Sequence, residues 1–337
     1  IIGRPDIQQH FIKNASIVSG TCTGFVSNYI INDMVFDYVI IDEAAKATFP
    51  ELLISVIRAK RIVMVGDHKQ LPPVLDEDLI RKSKNEFEES NIDSSTLFHS
   101  IFMKMFNHLP VENRQVLSTQ YRMHPGIGTM ISNLFYDNQI SNGLDTSERD
   151  HCIQNYKNLA IVWIDTSNHP KRFDEQVATS YKNLLESSIV KEQLKIISDN
   201  LKDSKYDVGV ITPYSAQKNL IRKEIESINC INFNSQIVVN SVDAFQGGQK
   251  DIILYSTVRS SDKYKSIRFL KSEERLNVAF SRAKRLLIII GDAQYLSNTD
   301  THDNRFTDII KYIKVNSEYC KIIDFMTIMG KQRKEVQ

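Results

Sequence analysis

Residues 37–46 read DYVIIDEAAK, an apolar run that ends in two adjacent carboxylates, Asp42 and Glu43. Burying two acids without partners is costly, so the pair needs cations, a reaction or a solvated turn. A second apolar run leads into VGDHKQLPPV (65–74), where Gln70 suits orienting a water or touching a terminal phosphate. Pro72 and Pro73 stiffen the loop behind it, and a plain tight turn is the competing reading. In STQYRMHPG (118–126), Arg122 sits where a strand gives way to a Pro-initiated helix, a place that projects a guanidinium into a cleft. VNSVDAFQGGQKD (239–251) puts Gly247 and Gly248 between two strands, which permits close backbone approach. EERLNVAFSRAKRLLIIIGD (273–292) reads as a helix with Leu276, Ala279, Phe280 and Ala283 in an apolar stripe. Arg275 and Arg282 then share one flank, about 20° apart. In isolation either arginine reads more readily as a simple surface residue. Paired carboxylates in one domain and arginines in the next suggest an ATP site between domains.

The elements that must carry these groups are short β-branched runs: 15–21, 37–42, 61–67, 115–121, 159–165, 207–212, 236–242, 251–258 and 286–292. Several are apolar on both faces, as strands of a covered parallel sheet should be. Helical patterns lie between them, including PELLISVIRAK and SAQKNLIRKEIESI. The alternation implies α/β units with right-handed crossovers. Ligands in such sheets gather at the carboxyl ends of strands, where Asp42, Asp67, Asp165 and Asp292 all lie. The polar segment 76–95 reads as a surface excursion, and 330–337 as a frayed end. The expected organisation is a first domain over 1–120, a second over 121–325 and a tail over 326–337.

Composition narrows the classes. The 337 residues suffice for two domains, and 42% hydrophobic with 25% charged residues is globular. Lys and Arg total 42 against 41 acids, which excludes a strongly basic coat but not a local basic groove. No apolar run reaches the ~20 residues that span a bilayer, and the start reads as no signal peptide. The four cysteines are scattered without CxxC spacing, which suits a reducing compartment rather than zinc or disulfides. A cytoplasmic setting, or a nuclear one in a eukaryote, is expected. The first residue is not Met, which reads as a fragment or a processed product.

The clusters in this order resemble superfamily 1 helicases of the 5′→3′ group that includes the nonsense-mediated-decay helicase, senataxin and Dna2-type enzymes. IIDEAAKA resembles the Mg²⁺ motif, VGDHKQLPPV the γ-phosphate sensor, and QYRMHP the start of the second RecA-like domain. VITPYSAQ, SVDAFQGGQKD and RLNVAFSRAK resemble later motifs, and SIVSGTCTGF an upstream strand-contacting segment. The resemblance implies two RecA-like domains of mainly parallel sheet, the first incomplete, with ATP and Mg²⁺ as cofactors. Asp42 would hold Mg²⁺, Glu43 would be the catalytic base, and Gln70 would sense the γ-phosphate. Arg122 and Arg282 would be arginine fingers. Gly247 and Gln249 would lie at the nucleotide. Thr21, Thr212 and Ser241 would bond backbone phosphates of single-stranded DNA or RNA, with Tyr214 and Gln217 nearby, in a largely sequence-independent way.

Two departures stand out. Gln249 occupies a position where the family often has Glu. No G-x-x-x-x-G-K-[ST] phosphate loop occurs in the chain, so it is expected upstream of Ile1, where further domains or protein partners also have room. The resemblance thus implies the C-terminal portion of an ATP-dependent helicase or single-strand translocase, with negligible hydrolysis by this chain alone. The alternative is a pseudo-ATPase that binds nucleic acid or a partner.

Overall fold

The computed structural model describes residues 5–73, 101–201, 206–226, 237–245, 248–263, 266–299 and 304–328. They fall into two compact units, Ile1–Gln115 and Val116–Gln337. Each is α/β.

The first unit runs through helices α1 (Pro5–Asn14), α2 (Cys22–Val26) and α3 (Tyr29–Asn32), then β1 (Phe36–Ile41), α4 (Phe49–Val56), β2 (Ala59–Met64) and α5 (Ile101–His108). β1 and β2 pair in parallel, Phe36 opposite Ala59 and Ile41 opposite Met64. The crossover helix α4 begins where the Glu51 carboxylate takes both the backbone N–H of Thr48, at 2.8 Å, and its hydroxyl, at 2.9 Å. A small core forms from Ile41, Ala44, Ala45, Leu52 and Phe102.

Two expectations fail in this unit. The run 15–21 is not a strand: Ile17 is exposed, and the Thr21 hydroxyl instead caps α2 by accepting from Gly24 N–H at 3.0 Å. Its Ser, Gly and Thr residues favour caps over ladders. Tyr38 and Ile40 of β1 are also exposed, so this apolar strand is not covered on both faces. The excursion at 76–95 and the frayed end at 330–337 lie outside the described residues.

The second unit is built on a parallel six-stranded sheet. Its elements in chain order begin with β3 (Thr119–Gln120), α6 (Pro125–Phe135), β4 (Ser141–Asn142), β5 (Ile161–Asp165), β6 (Glu175–Val177), β7 (Ser180–Lys182), α7 (Leu184–Asn200) and β8 (Val208–Ile211). They continue with α8 (Ser215–Glu226), β9 (Val238–Asn240), β10 (Lys250–Ser256), α9 (Glu273–Phe280), β11 (Ala283–Gly291), α10 (Ala293–Asn298), α11 (Arg305–Val315) and β12 (Cys320–Asp324). The sheet order is β12-β5-β11-β10-β8-β9, every neighbouring pair parallel. Residues 286–291 of β11 are buried without alternation, the mark of a strand covered on both faces. Each fully buried Ile or Leu there contributes about 1.5–3 kcal/mol relative to exposure.

The helix expected across 273–283 stops early. α9 ends at Phe280, Ser281 caps it, and Ala283 already pairs with Lys250 as the first residue of β11. Ala283 therefore belongs to no helical stripe, and Arg275 and Arg282 share no helix flank. Tertiary pairing with β10 overrides the local helical period. The expected strand at 115–121 shrinks to β3, which pairs with β4 outside the main sheet. Among the described residues no helix is long and apolar enough to cross a membrane.

Candidate functional site

In the first unit, Asp42 and Glu43 directly follow β1, and Asp67 lies just beyond β2, so both motifs occupy the carboxyl ends of adjacent parallel strands. The two turns are bonded to each other: Val65 N–H donates to Ile41 O, and Ala44 N–H to Val65 O, both at 2.8 Å. Gly66 is required there. A Cβ on it would meet the Ala45 backbone nitrogen at 2.8 Å and the Phe102 ring at 3.3 Å. Glu43 adopts left-handed backbone (φ 54°) and stands exposed, with Lys46 Nζ 3.4 Å from its carboxylate. Non-Gly residues in that region are uncommon and cluster at functional turns. Asp42 is exposed and accepts from Glu43 N–H at 2.9 Å. An exposed carboxylate of this kind fits Mg²⁺, which uses one or two carboxylates and keeps water and phosphate ligands. Gln70 is aimed by Asp67, whose carboxylate accepts its amide N–H at 2.7 Å and Lys69 N–H at 3.0 Å.

In the second unit, the amide of Gln120 shapes the loop that presents Arg122. Its oxygen accepts from Arg122 N–H (2.9 Å) and Met123 N–H (2.8 Å), while its nitrogen donates to Met123 O (3.0 Å) and Asn142 (2.7 Å). The loop ends on His124, which caps α6 by accepting from Gly126 N–H at 3.0 Å. Burial lowers the His124 pKa to about 4, against a weaker upward pull from Asp150. Arg149 braces the same loop from outside, donating to Arg122 O (2.8 Å) and Tyr121 O (2.9 Å).

Arg122 itself is exposed, with Nη1 3.5 Å from Ser281 O. It lines a cavity of about 430 Å³ together with Tyr121, Arg149, Gln249, Asp251, Lys284 and Arg285. Four cations thus face one acid, and Arg285 already pairs with that acid, Asp251, at 3.1 Å. The surplus positive charge suits phosphate oxygens, which guanidinium groups bind through paired N–H bonds. The cavity lies at the amino ends of β10 and β11, since Gln249 precedes the one and Arg122 reaches the turn before the other.

Arg282 takes a different place from the one expected. It is 3% exposed, and its guanidinium donates to Val278 O (3.0 Å) and Gly248 O (3.1 Å) rather than lining the cavity. The cause is the early end of α9, which turns the side chain inward beneath the Gly248–Gln249 turn. Arg282 fixes that turn. Gly247 lies outside the described residues.

The remaining candidates sit at the opposite, carboxyl edge of the sheet. Thr212 and Ser241 directly follow the paired residues Ile211 and Asn240, and Thr212 N–H donates to Asn240 O at 3.2 Å. Thr212 is buried, and its hydroxyl has no hydrogen-bond partner among the described residues. Tyr214 is mostly buried against the rings of Tyr181 and Phe269. Gln217 corrects the expectation of a strand contact. It is fully buried, and its amide bonds the backbone of Asn183 (2.8 and 3.2 Å) and the Ser256 hydroxyl (3.0 Å). It is the third residue of α8 and faces the core.

Beneath this edge lies a buried polar network that the sequence reading missed. Glu186 accepts from Ser256 Oγ (2.7 Å), Val258 N–H (2.8 Å) and Thr257 Oγ1 (3.2 Å). Burial drives its pKa up to about 8, although those three bonds pull it down. It holds Val258 at φ 74°, a strained conformation for a β-branched residue. Arg259 follows, paired with Asp174 at 2.8 Å and stacked over Tyr181 at 3.9 Å. Arg149, Lys284 and Arg285 were also missed. A signal for the last two existed in the basic run RAKR (282–285).

Comparison with known proteins gives consistent matches. A family model described as an AAA domain matches residues 95–294, and a second of the same description matches residues 3–77. A regulator of nonsense transcripts 1 homolog from Neurospora crassa is 34% identical over 301 residues, covering 86% of this chain and 25% of that protein. ATP-dependent helicase NAM7 of Saccharomyces cerevisiae is 32% identical over 300 residues, covering 86% and 28%. An uncharacterized ATP-dependent helicase of Methanocaldococcus jannaschii is 30% identical over 325 residues, covering 91% and 43%. The chain therefore spans about a quarter of the length of the first two relatives and less than half of the third. These relatives carry the names toward which the six motifs pointed.

Proposed function

Because this chain belongs to the AAA-domain family, we propose that it is part of an ATP-dependent helicase or single-strand translocase. The observation that carries this reading is the convergence of Arg122, Arg149, Gln249, Lys284 and Arg285, from four separate segments, on one cationic cavity. In this reading the first unit supplies Asp42 for Mg²⁺, Glu43 as the base that takes a proton from the attacking water, and Gln70 to sense the terminal phosphate. Mg²⁺, when bound, neutralises charge on the phosphates. Arg122 stabilises charge that develops on the transferring phosphoryl group, and Arg149 holds its backbone in place. Arg282 acts through the turn that carries Gln249, as a positioning residue. Ser241, at the other edge of the sheet, meets the backbone of a single strand in DNA or RNA, with Thr21 doing so from the first unit, while the buried Thr212 shapes the turn beside Ser241.

The test is strand-stimulated ATP hydrolysis by this chain joined to an upstream segment that bears a phosphate loop. Glu43→Gln keeps shape and one hydrogen bond but accepts no proton. Loss of a general base costs about 10²–10⁴-fold in rate, with nucleotide binding kept. Arg122→Ala should cost about 10³–10⁵-fold if its guanidinium acts as a finger. Wild-type turnover in both variants would remove Glu43 and Arg122 from the catalytic set, and absence of strand-stimulated turnover in the unsubstituted protein would leave a nucleic-acid-binding module without hydrolysis.

A further inference from the structure

An exposed aromatic ring sits between the two hydroxyl-bearing turns of the carboxyl edge. Phe269 is 40% exposed although its neighbours Ile267 and Leu270 are buried in the core. The turn Arg268–Lys271 therefore anchors on both sides of Phe269 and holds it outward. The ring lies 5.8 Å from that of Tyr214, two residues beyond Thr212. The Arg275 guanidinium lies 4.3 Å above it and reaches Asp243, two residues beyond Ser241, at 3.5 Å.

The arrangement continues inward as an unbroken ladder. Tyr214 meets Tyr181 edge-on at 5.5 Å, and Arg259 covers Tyr181 at 3.9 Å while held by Asp174. Cations cover both ends of this three-ring cluster, in which one pair is edge-on and the other tilted, and so brace its geometry before any ligand arrives. Tyr214 and Arg259 are buried, so Phe269 is the ring through which this stack meets solvent most openly. A single exposed apolar residue is ordinary on protein surfaces. One held out by a buried frame, braced by a cation and flanked by two turns bearing Thr212 and Ser241, is a built feature.

We propose that Phe269 is a stacking residue for an unpaired nucleobase of a single strand whose backbone passes Thr212 and Ser241. This rests on the strand-binding part of the function proposed above. Stacking needs no base-edge readout, so the site is tolerant of sequence, and such a contact contributes about 1–3 kcal/mol per base.

The experiment measures binding of the 337-residue chain to a labelled oligothymidylate, and to an abasic oligomer of equal length, by fluorescence anisotropy over a salt series. Phe269→Ala and Phe269→Leu should weaken oligothymidylate binding about 5- to 150-fold, while Phe269→Trp should bind as the wild type does. The leucine variant keeps apolar volume, so loss in it reports the missing π-face rather than a disturbed fold. The abasic strand should bind wild type and all three variants alike. The slope of log affinity against log salt should stay constant, since no phosphate contact is removed. Unchanged oligothymidylate affinity in the alanine and leucine variants, or equal losses on the abasic strand, would overturn the stacking role. A wild-type chain that binds neither strand would overturn the strand-binding reading itself and this inference with it.

Discussion

The guanidinium of Arg282 donates to the carbonyl of Gly248 at 3.1 Å, joining the turn before β11 to the turn before β10. Both turns feed the same edge of the sheet, and Gln249 stands next in the chain at the rim of the cationic cavity.

Removing that guanidinium should therefore cost stability as well as function. Arg282→Ala leaves the Gly248 carbonyl without this donor and hollows a buried site. A buried hydrogen bond to a charged group is worth about 1.5–3 kcal/mol, so the Tm of the second unit should drop by roughly 3–12 °C. Differential scanning calorimetry of the chain tests this. An unchanged Tm would show that Arg282 carries no structural role.

Gly66→Ala should pry apart the turns that bear Asp42–Glu43 and Gln70. The added methyl meets backbone at Ala45 rather than a flexible side chain, so relief requires movement of the β1 turn itself. Overpacking of this kind costs about 1–3 kcal/mol. Urea unfolding followed on the first unit should show a lower midpoint. A midpoint equal to wild type would mean the close approach is slack.

Glu186 should make the second unit less stable as pH rises. Its pKa is about 8 when folded and near 4.5 when unfolded, so between those values the folded state holds the extra proton. Its contribution is fully present below about pH 4.5 and is lost as pH climbs through 8. The slope is at most about 1.4 kcal/mol per pH unit. Glu186→Gln does not titrate, and its stability profile from pH 5 to 9 should be flatter than the wild type's. Parallel profiles would remove Glu186 as the source.

His124 should act with the opposite sign. Folded, its pKa is about 4, against 6.5 when unfolded, so the unfolded state binds the extra proton between them. Its stabilisation is present above pH 6.5 and is lost as pH falls toward 4. Burial likewise lowers His151, so some acid sensitivity remains without His124. His124→Asn keeps an acceptor suited to the helix cap but cannot titrate. The difference between the two melting profiles over pH 4–6.5 should isolate this residue. An identical acid slope in the variant would contradict the assignment.

Much of the sheet was legible because parallel strands covered on both faces advertise themselves as apolar runs. β5 and β8 fall within runs visible in the sequence, and β10 and β11 overlap theirs, starting one and three residues earlier. β12, read from CKIID beyond the last motif, was missed because a five-residue edge strand carries little pattern of its own. The failed strand at 15–21 shows the converse, since β-branched residues form a strand only when a neighbour pairs with them. A residue's placement was legible where it follows from chain position, as with Glu43 at the tip of β1. It was hidden where the role depends on packing. Gln217 carries a strand-contact motif yet faces the core, and Arg149 joins the cavity through a loop without any motif. Arg282 was misplaced because the helix period continued in sequence past the point where β10 captured the chain.

The cationic cavity, at the amino ends of β10 and β11, and the Thr212–Ser241 pair, at the carboxyl ends of β8 and β9, sit on opposite edges of the same sheet. β10 has seven residues and so separates the two edges by about 20 Å. That is more than twice the ~8 Å over which salt screens exposed charges under physiological conditions. A change of charge at Arg122 is therefore not felt directly at Ser241. Any coupling between the two edges has to pass through the sheet itself, in which β10 joins the turn at Gln249 to the strained turn at Val258.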